Sequence, residues 1–552
     1  MAPEPTEGGF LERLAEAVER FDREGAERLC NELIGRLERG DLPGVRTAKA
    51  ILNTLRRKCY FDLMERVANA CRLAGMEEHQ IRRQYAQSLI DQGKIDAAVD
   101  VLELLVARTA EDSDENAEAR GLLGRVFKQL YVNALLEDPD ARGLRLVQLH
   151  LQRAVRYYHE VYRQDPQGRL WHGINTVALT LRAERDGVEL APGADGRAIA
   201  REILAIIEAR KQAGSVDYWD LATAAEASVA LGDSQQALVW TAEYVQHPGV
   251  DAFELSSTER QLREVWGLTV AEPPGSLLLP LLQSQILQHK GGRVQLAGGT
   301  LGETIRTTEH GAKSPTMEKI LGAAGVVTLK WYLDGLERCR NVAQVVTETE
   351  EAVGTGFLVR GGDLAPDLGE EIVLLTNAHV VSEDPEVRKA EGALAPEEAV
   401  VRFEALEAAA GETFRVSELL WTSPPHALDA TLLRLEPPIE AVGSYPLTER
   451  LPLADGKQKV YVIGHPGGRT LSLSLHDNLL LDHDDRMIHY RAPTEGGSSG
   501  SPVFNQQWKL IGLHHAGSLE MPRLKGQPGT YPANEGVWIQ RIVQAVRSEL
   551  RP

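Results

Sequence analysis

The hydrophobic pattern of this chain changes character near residue 341, and that change limits what the chain can fold into. Between residues 10 and 265, apolar side chains recur at helical spacing, as Phe10, Leu14 and Val18 do at the start. From Asn341 onward, short apolar runs alternate with Gly, Pro and acidic loops, which is typical of an all-β sandwich or barrel. The sequence therefore predicts a multidomain α + β chain, with a helical region followed by an all-β region.

A weak internal repeat runs through the helical region. One predicted helix ends at Gly93 and the contact face of the next opens at Ala98, and the same geometry returns at Gly232 and Ala237. Small residues at fixed offsets allow paired helices to pack closely, and stacked pairs form a solenoid. These offsets resemble those of tetratricopeptide repeats, and another kind of helical array is the alternative. The resemblance implies a concave surface suited to a peptide or protein partner.

Three segments follow from these patterns. We predict a helical repeat domain over residues 1–270, a linker or small irregular module over 271–335, and a β-rich domain over 336–552. The change near residue 270 is marked by Pro273–Gly275, which interrupts any helix. A short helix is predicted from Met317 to Arg340, before the first strand.

Composition excludes several classes of partner. Lys and Arg total 60 and Asp and Glu total 80, so the net charge is −20. An acidic chain without a Lys/Arg block repels phosphate, so neither nucleic acid nor an anionic membrane is an expected partner. The chain shows neither the basic start and apolar run of a secretory signal nor about 18 consecutive apolar residues.

Four cysteines are too few for a disulfide scaffold, and we expect a cytoplasmic protein. No His/Cys cluster has ligand spacing, so no metal or cofactor is expected.

Three local motifs in the β-rich region contain reactive side chains. His379 follows an apolar run, Asp429 precedes one, and Ser499 lies in the Gly- and Ser-rich segment 496–501. Acyl transfer needs a nucleophile, a base that takes its proton and a carboxylate that orients the base. It also needs backbone N–H groups aimed at the developing oxyanion, and glycines allow a loop to turn them inward. Each motif alone is weak, but together they indicate an acyl-transfer site.

The three motifs together resemble those of trypsin-like serine proteases of the chymotrypsin fold. Thr-Asn-Ala-His379 is similar to the histidine motif of that family, Asp429-Ala-Thr-Leu-Leu to its aspartate motif, and Gly497-Ser-Ser499-Gly-Ser-Pro to its serine motif. The resemblance covers residues 340–552 and implies two packed six-stranded β-barrels. It also implies that His379 is the general base, that Asp429 orients it and that Ser499 attacks the substrate. The N–H groups of Gly497 and Ser499 would form the oxyanion hole.

The same serine segment also fits a different hydrolase pattern. Residues 496–500 read Gly-x-Ser-x-Gly, the nucleophile elbow of α/β-hydrolases. That fold places its acid and histidine after the serine, on alternating strands and helices. Here His379 and Asp429 precede the serine and the pattern is all-β, so we set the elbow aside.

Substrate preference is indicated by a second resemblance. The serine motif and Ile511-Gly-Leu-His514 are similar to those of bacterial glutamyl endopeptidases. The resemblance implies that Thr494 and His514 bind the side chain of a substrate glutamate, and a hydroxyl and an imidazole can both donate to a carboxylate. Pro493 stands where trypsin carries an acidic residue, so cleavage after Lys or Arg is not expected.

Two hypotheses from different classes remain. The first is an intracellular serine endopeptidase that cuts proteins or peptides and whose helical repeats bind a regulatory protein partner; such fusions resemble bacterial signalling or defence effectors. The second is a binding or scaffold protein with a latent protease fold. A weaker third is an esterase that uses the same three residues.

Overall fold

A computed structural model describes most of the chain. The described residues are 7–19, 23–289, 294–296, 300–404, 413–439, 443, 445–451, 454, 458–468, 470–473, 479–491 and 497–550. They form two compact units, Met1–Leu282 and Gln283–Pro552. Among the described residues, no helix combines the length and the apolar character needed to cross a bilayer.

The first unit is built from helices, as the 3.6-residue periodicity predicts. Its helices are α1 Glu7–Glu19, α2 Arg23–Glu38, α3 Val45–Arg57, α4 Phe61–Leu73, α5 His79–Asp91, α6 Ile95–Arg108, α7 Asp114–Glu137, α8 Arg145–Gln164, α9 Leu170–Asp186, α10 Gly196–Gln212, α11 Tyr218–Ala230, α12 Ser234–Gln246, α13 Ala252–Glu264 and α14 Gly275–Gln288, the last of which runs across the division between the units. From α3 to α12, each helix packs against the next, as the repeat pattern requires.

The repeat offsets have the structural meaning predicted for them. Gly93 and Gly232 follow α5 and α11 with φ of 75° and 76°, a left-handed conformation that favours glycine and ends a helix. Ala98 and Ala237 are fully buried on the helices that follow. Within α7, a Cβ on Gly124 would lie 2.8 Å from the ring of Tyr158, so glycine allows α8 to approach closely. The helical repeat architecture is therefore confirmed.

The second unit is rich in β structure. Its strands are β1 Val294–Gln295, β2 Val342–Val346, β3 Ala352–Arg360, β4 Ile372–Thr376, β5 Val400–Phe403, β6 Thr413–Ser423, β7 Ala430–Glu436, β8 Val460–Gly464, β9 Ser472–Leu473, β10 Leu480–His483, β11 Met487–Tyr490, β12 Pro502–Asn505, β13 Leu510–Pro522 and β14 Thr530–Trp538. Its helices are α15 Leu301–Lys313, α16 Pro315–Cys339, α17 Gly361–Leu364, α18 Pro385–Glu391 and α19 Ile539–Glu549.

Two sheets organise these strands. β2–β7 close into an antiparallel barrel in the order β2-β3-β4-β7-β6-β5, and a cluster of buried aliphatic and aromatic side chains fills it. The remaining strands form an eight-stranded sheet in the order β1-β9-β8-β12-β13-β14-β11-β10. The first sheet is thus the six-stranded barrel that was expected. The described part of the second is an eight-stranded sheet to which β1, from outside the predicted β-rich segment, adds a strand.

The segment predicted as a linker or irregular module, 271–335, contains α14, α15 and most of α16. Gly275 and Pro315 stand at the first positions of α14 and α16, where they are tolerated, so these residues mark helix starts. Trp331 of α16 donates its indole N–H to the carbonyl of Gln506, and Trp508 donates to the carbonyl of Trp331, each at 2.8 Å. These bonds attach α16 to the strands of its own unit.

Candidate active site

His379 lies in a tight turn that leaves the barrel. β4 ends at Thr376, and the N–H groups of Val380 and Val381 both donate to the carbonyl of Asn377. The turn is held to the next motif because the Asn377 side-chain amide donates to the carbonyl of Asp429 at 2.7 Å. The imidazole of His379 keeps about a fifth of its surface exposed, at 22%. It can therefore meet a substrate.

Asp429 lies at the end of a turn that leads into β7. Its N–H donates to the carbonyl of Pro424, and its φ of 44° is a left-handed conformation that Asp tolerates better than most residues. The turn directs the carboxylate back toward the barrel edge, where the side chain is fully buried. Strained backbone of this kind is concentrated at functional sites.

Two hydrogen bonds join His379 to Asp429. Nδ1 of His379 lies 2.6 Å from Oδ2 of Asp429, and the backbone N–H of His379 donates to Oδ1 at 3.0 Å. A carboxylate accepts, so Nδ1 carries the proton and Nε2 is left as an acceptor. The pair thus has the tautomer and the orientation that a general base needs.

The serine loop is anchored to β3 of the barrel. The N–H of Thr355 donates to the carbonyl of Ser499 and its hydroxyl donates to the carbonyl of Gly497, both at 2.8 Å. Gly497 and Gly500 have φ of 90° and 87°. A Cβ on Gly500 would lie 1.8 Å from the carbonyl oxygen of Thr355, so only glycine fits there. The loop is therefore held in one conformation by β3.

The same strand brings the serine loop next to the histidine turn. A Cβ on Gly354 would lie 2.8 Å from the side chain of Val380 and 3.2 Å from the carbonyl oxygen of Ser499. The two motifs, more than a hundred residues apart in sequence, therefore flank one glycine. In the described residues, no direct hydrogen bond joins the Ser499 hydroxyl to His379. Such bonds are often long in proteins without substrate.

His514 lies next to the serine loop, and Thr494 lies outside the described residues. The N–H of His514 donates to the carbonyl of Ser501, and its carbonyl accepts from the N–H of Gly500. Its Nδ1 lies 2.6 Å from the hydroxyl of Tyr490. Burial, with smaller effects from His515 and His379, lowers the pKa of His514 to about 3, so the ring is neutral. The structure thus gives a place in the site to one of the two predicted specificity residues.

His515 is a residue of this site to which the sequence assigned no role. Its Nδ1 lies 2.6 Å from Oδ2 of Asp429, the oxygen that His379 also contacts. Burial raises the pKa of Asp429, but the hydrogen bonds from both histidines outweigh it and bring that pKa down to about 2. Asp429 is therefore ionised. The one sequence signal for this contact is that His515 directly follows His514.

The cluster of His379, Asp429 and His515 also has the side chains that transition metals prefer. Among the described residues, it is the single group of three whose ligand atoms lie within 4.8 Å of one another. Both short contacts run from Nδ1 to a carboxylate oxygen at a charge-assisted hydrogen-bond distance. Hydrogen bonding accounts for the cluster, and we assign it to the acyl-transfer site.

Fold, motifs and geometry together define the class. Residues 354–513 match the family described as "Trypsin-like peptidase domain", and residues 58–180 match "Tetratricopeptide Repeats-Sensor". The chain therefore combines a trypsin-like peptidase domain with tetratricopeptide-like repeats, as the resemblances to those two families implied.

Individual relatives add little to these matches. A curated relative, the uncharacterized protein y4fB of Sinorhizobium fredii, is 29% identical over 289 residues, which cover 44% of this chain and 40% of that protein. The chain thus spans well under half the length of that relative. Two solved structures of the Rv3671c protease in an inactive form, one described as from M. tuberculosis, are 14% and 16% identical. They cover 40% and 38% of this chain and 92% and 89% of their own, with TM-scores of 0.26 and 0.25.

Proposed function

We propose that this protein is a serine endopeptidase. The observation that carries the proposal is the two-point contact between His379 and Asp429, at 2.6 and 3.0 Å, beside a serine loop anchored to the same barrel. The contact assigns the proton of a neutral His379 ring to Nδ1, and among the described residues no carboxylate contacts Nε2. That arrangement suits a base for a hydroxyl nucleophile better than a structural ion pair.

In the proposed reaction, the Ser499 hydroxyl attacks the carbonyl carbon of the scissile bond while Nε2 of His379 takes its proton. Asp429 stabilises the imidazolium that forms. The N–H groups of Gly497 and Ser499 donate to the oxyanion of the tetrahedral intermediate. His379 then protonates the leaving amine, and water hydrolyses the acyl-enzyme by the same steps in reverse. Each proton that leaves Ser499 or water therefore passes through one imidazole.

The test is a cleavage map. The full chain, Ser499→Ala and Ser501→Ala are each incubated with a mixed peptide library, and new termini are identified by mass spectrometry. Ser501 is the matched control because it lies two residues from Ser499 and its buried hydroxyl has no hydrogen-bond partner within the described part of the chain. We expect cuts from the wild type and Ser501→Ala, and none from Ser499→Ala. Cuts that persist in Ser499→Ala would contradict the proposal, and none from any form would favour the scaffold hypothesis.

We further propose a preference for Glu, or Asp, before the cut. Support comes from His514, whose Nδ1 faces the Tyr490 hydroxyl at 2.6 Å. If that hydroxyl donates to Nδ1, the remaining proton of the neutral ring is on Nε2, which can donate to a substrate carboxylate. Thr494 would supply the second donor. In the cleavage map, cuts clustered after Glu support this preference, and cuts after other residues contradict it while leaving the endopeptidase intact.

For the repeats, we propose a protein-binding role that selects substrates or regulates cleavage, in a bacterial signalling or defence pathway within a reducing compartment. All four cysteines are free thiols, which fits such a compartment. Near the turn between α7 and α8, Leu144 and Leu146 are 59% and 66% exposed. They are two residues apart in the sequence, and exposed apolar patches mark interaction sites.

The repeats can be tested in the full chain. The double variant Leu144→Asp/Leu146→Asp is expected to cleave folded protein substrates more slowly than wild type. Its cleavage of a short fluorogenic peptide should be unchanged. Leu73→Asp is the matched control, since Leu73 is 80% exposed elsewhere in the same unit. Equal rates on folded substrates for both variants would contradict a role for this surface.

A further inference from the structure

The strand that carries His514 also carries a β-bulge. β13 and β14 pair His514 with Gly536 and then Ala516 with Glu535, so His515 is the extra, unpaired residue. A bulge turns the side chain of its extra residue away from the regular alternation of the strand, and bulges occur next to active sites. Here it turns His515 toward the carboxylate of Asp429. The local backbone is therefore shaped for this contact.

His515 lies between two carboxylates. Its Nδ1 is 2.6 Å from Oδ2 of Asp429, and its Nε2 is 3.7 Å from Oε1 of Glu535. Glu535 is held in turn by His489, whose Nε2 lies 2.8 Å from Oε2, and His489 contacts the Tyr531 hydroxyl at 2.8 Å. The side chains thus form one continuous polar row from His379 to Tyr531.

We propose that His515 is a positioning residue for the base: its Nδ1–H donates to Oδ2 of Asp429, the oxygen that His379 also contacts, and so fixes the carboxylate that orients His379. This inference rests on the proposed peptidase function. Two imidazoles then contact the carboxylate of Asp429, and Glu535 lies near the other ring nitrogen of His515.

The charge on His515 gives the contact a second consequence. Burial lowers the pKa of the ring, but the hydrogen bond to Asp429 and the charges of Asp429 and Glu535 outweigh burial and raise it, while Arg486 opposes them. The His515 ring is 6.1 Å from the His379 ring between centroids. A positive charge on His515 would therefore act on the base electrostatically as well as through Asp429. The acidic side of the activity profile should therefore depend on His515.

Two variants separate the hydrogen bond from the charge. His515→Asn keeps an N–H donor near the Nδ1 position and loses the charge, whereas His515→Leu loses both. His426→Asn is the matched control, since His426 is exposed and lies on the same turn three residues before Asp429. The full chain of each variant is assayed on a fluorogenic peptide between pH 5 and 10.

We expect His515→Leu to lower kcat/KM about tenfold or more, because it removes a hydrogen bond to a charged group. His515→Asn should stay within about threefold of wild type at the optimum, with its acidic limb moved up by about half a pH unit or more. His426→Asn should match wild type in both respects. Equal activity of the Leu and Asn variants, or an acidic limb that stays in place in His515→Asn, would overturn the proposal.

A second measurement is independent of peptidase activity. A raised pKa means that the His515–Asp429 pair stabilises the fold fully below about pH 6.5 and loses this effect as pH rises through the folded-state pKa. The melting temperature of His515→Asn should therefore fall further below that of wild type at pH 5.5 than at pH 9. For His426→Asn we expect a melting-temperature difference from wild type that does not change with pH. The same result for His515→Asn would contradict an ion pair between His515 and Asp429. If wild type itself cleaves nothing while the gap follows pH, the peptidase proposal fails and the His515 contact stands.

Discussion

The hydroxyl of Tyr490, on β11, lies 2.6 Å from Nδ1 of His514, on β13, and both side chains are buried. This contact links the proposed specificity residue to a strand that is separated from β13 by β14 in the sheet. It connects the hydrogen-bonding capacity of His514 to a residue that the sequence motifs do not contain.

Tyr490→Phe should weaken binding of Glu substrates. Without the hydroxyl, Nδ1 of His514 loses its partner, and leaving a buried polar atom unpaired costs about 1–3 kcal/mol. We expect KM for a Glu peptide to rise about three- to tenfold, with a smaller change in kcat. Steady-state kinetics on Glu and Gln peptides checks this. Tyr531→Phe removes a hydroxyl that contacts His489 instead and serves as control; an unchanged KM in Tyr490→Phe contradicts the prediction.

Gly500→Ala should inactivate the enzyme, whereas Gly529→Ala should not. The two glycines have φ of 87° and 90°, so the backbone strain of alanine is alike, about 1–2 kcal/mol. A Cβ at Gly500 meets the Thr355 carbonyl at 1.8 Å, but one at Gly529 meets nothing within 4 Å. We expect at least a hundredfold loss of kcat/KM from the first variant only. Comparable activities in the two variants would show that the serine loop tolerates displacement.

Thr355→Val should lower kcat more than it changes KM. The Thr355 hydroxyl donates to the carbonyl of Gly497, which belongs to the proposed oxyanion hole. Loss of a buried hydrogen bond of this kind costs about 1 kcal/mol, so we expect kcat to fall about fivefold or more. Thr355→Ser should restore most of it, and Thr349→Val, on an exposed turn, should have no effect. An equally slow Thr355→Ser would assign the loss to packing.

Acid should destabilise the fold through buried neutral histidines. Burial lowers the pKa of His172 to about 4 and that of His465 to about 3, below the usual value near 6.5. Below pH 6.5 the unfolded chain binds protons that the folded chain does not, so stability falls as pH drops toward these values. Denaturant unfolding from pH 7 to 4 measures the slope.

A single variant isolates the contribution of His465. Among the described residues its ring nitrogens make no hydrogen bond, and Nε2 lies 3.8 Å from Oε1 of Glu404. His465→Phe therefore removes a group that titrates in unfolding without breaking a side-chain hydrogen bond. We expect the melting temperature of this variant to fall less between pH 7 and 4 than that of wild type. His426→Asn, which changes an exposed ring, should keep the wild-type slope. A steeper slope in His465→Phe would contradict the linkage.

The sequence by itself determined the features that depend on local pattern. Helical periodicity with Gly93 and Gly232 at helix ends, short strands after Asn341, and the three motifs in order were all readable, because backbone preference and side-chain period are local properties. The placement of His379 after one apolar run and of Asp429 before another, and the glycines of the serine loop, belong to this group. Their residue types indicated the chemistry before any contact was known.

Only the tertiary structure decided the features that depend on distant residues. Gly354 lies between the histidine turn and the serine loop because β3 passes both, and Thr355 supports that loop by bonds across more than 140 residues. His515 reaches Asp429 because β13 bulges where it pairs with β14. A one-residue bulge redirects a side chain without any mark in hydrophobic pattern, so a pair of adjacent histidines could not reveal which one faced the carboxylate.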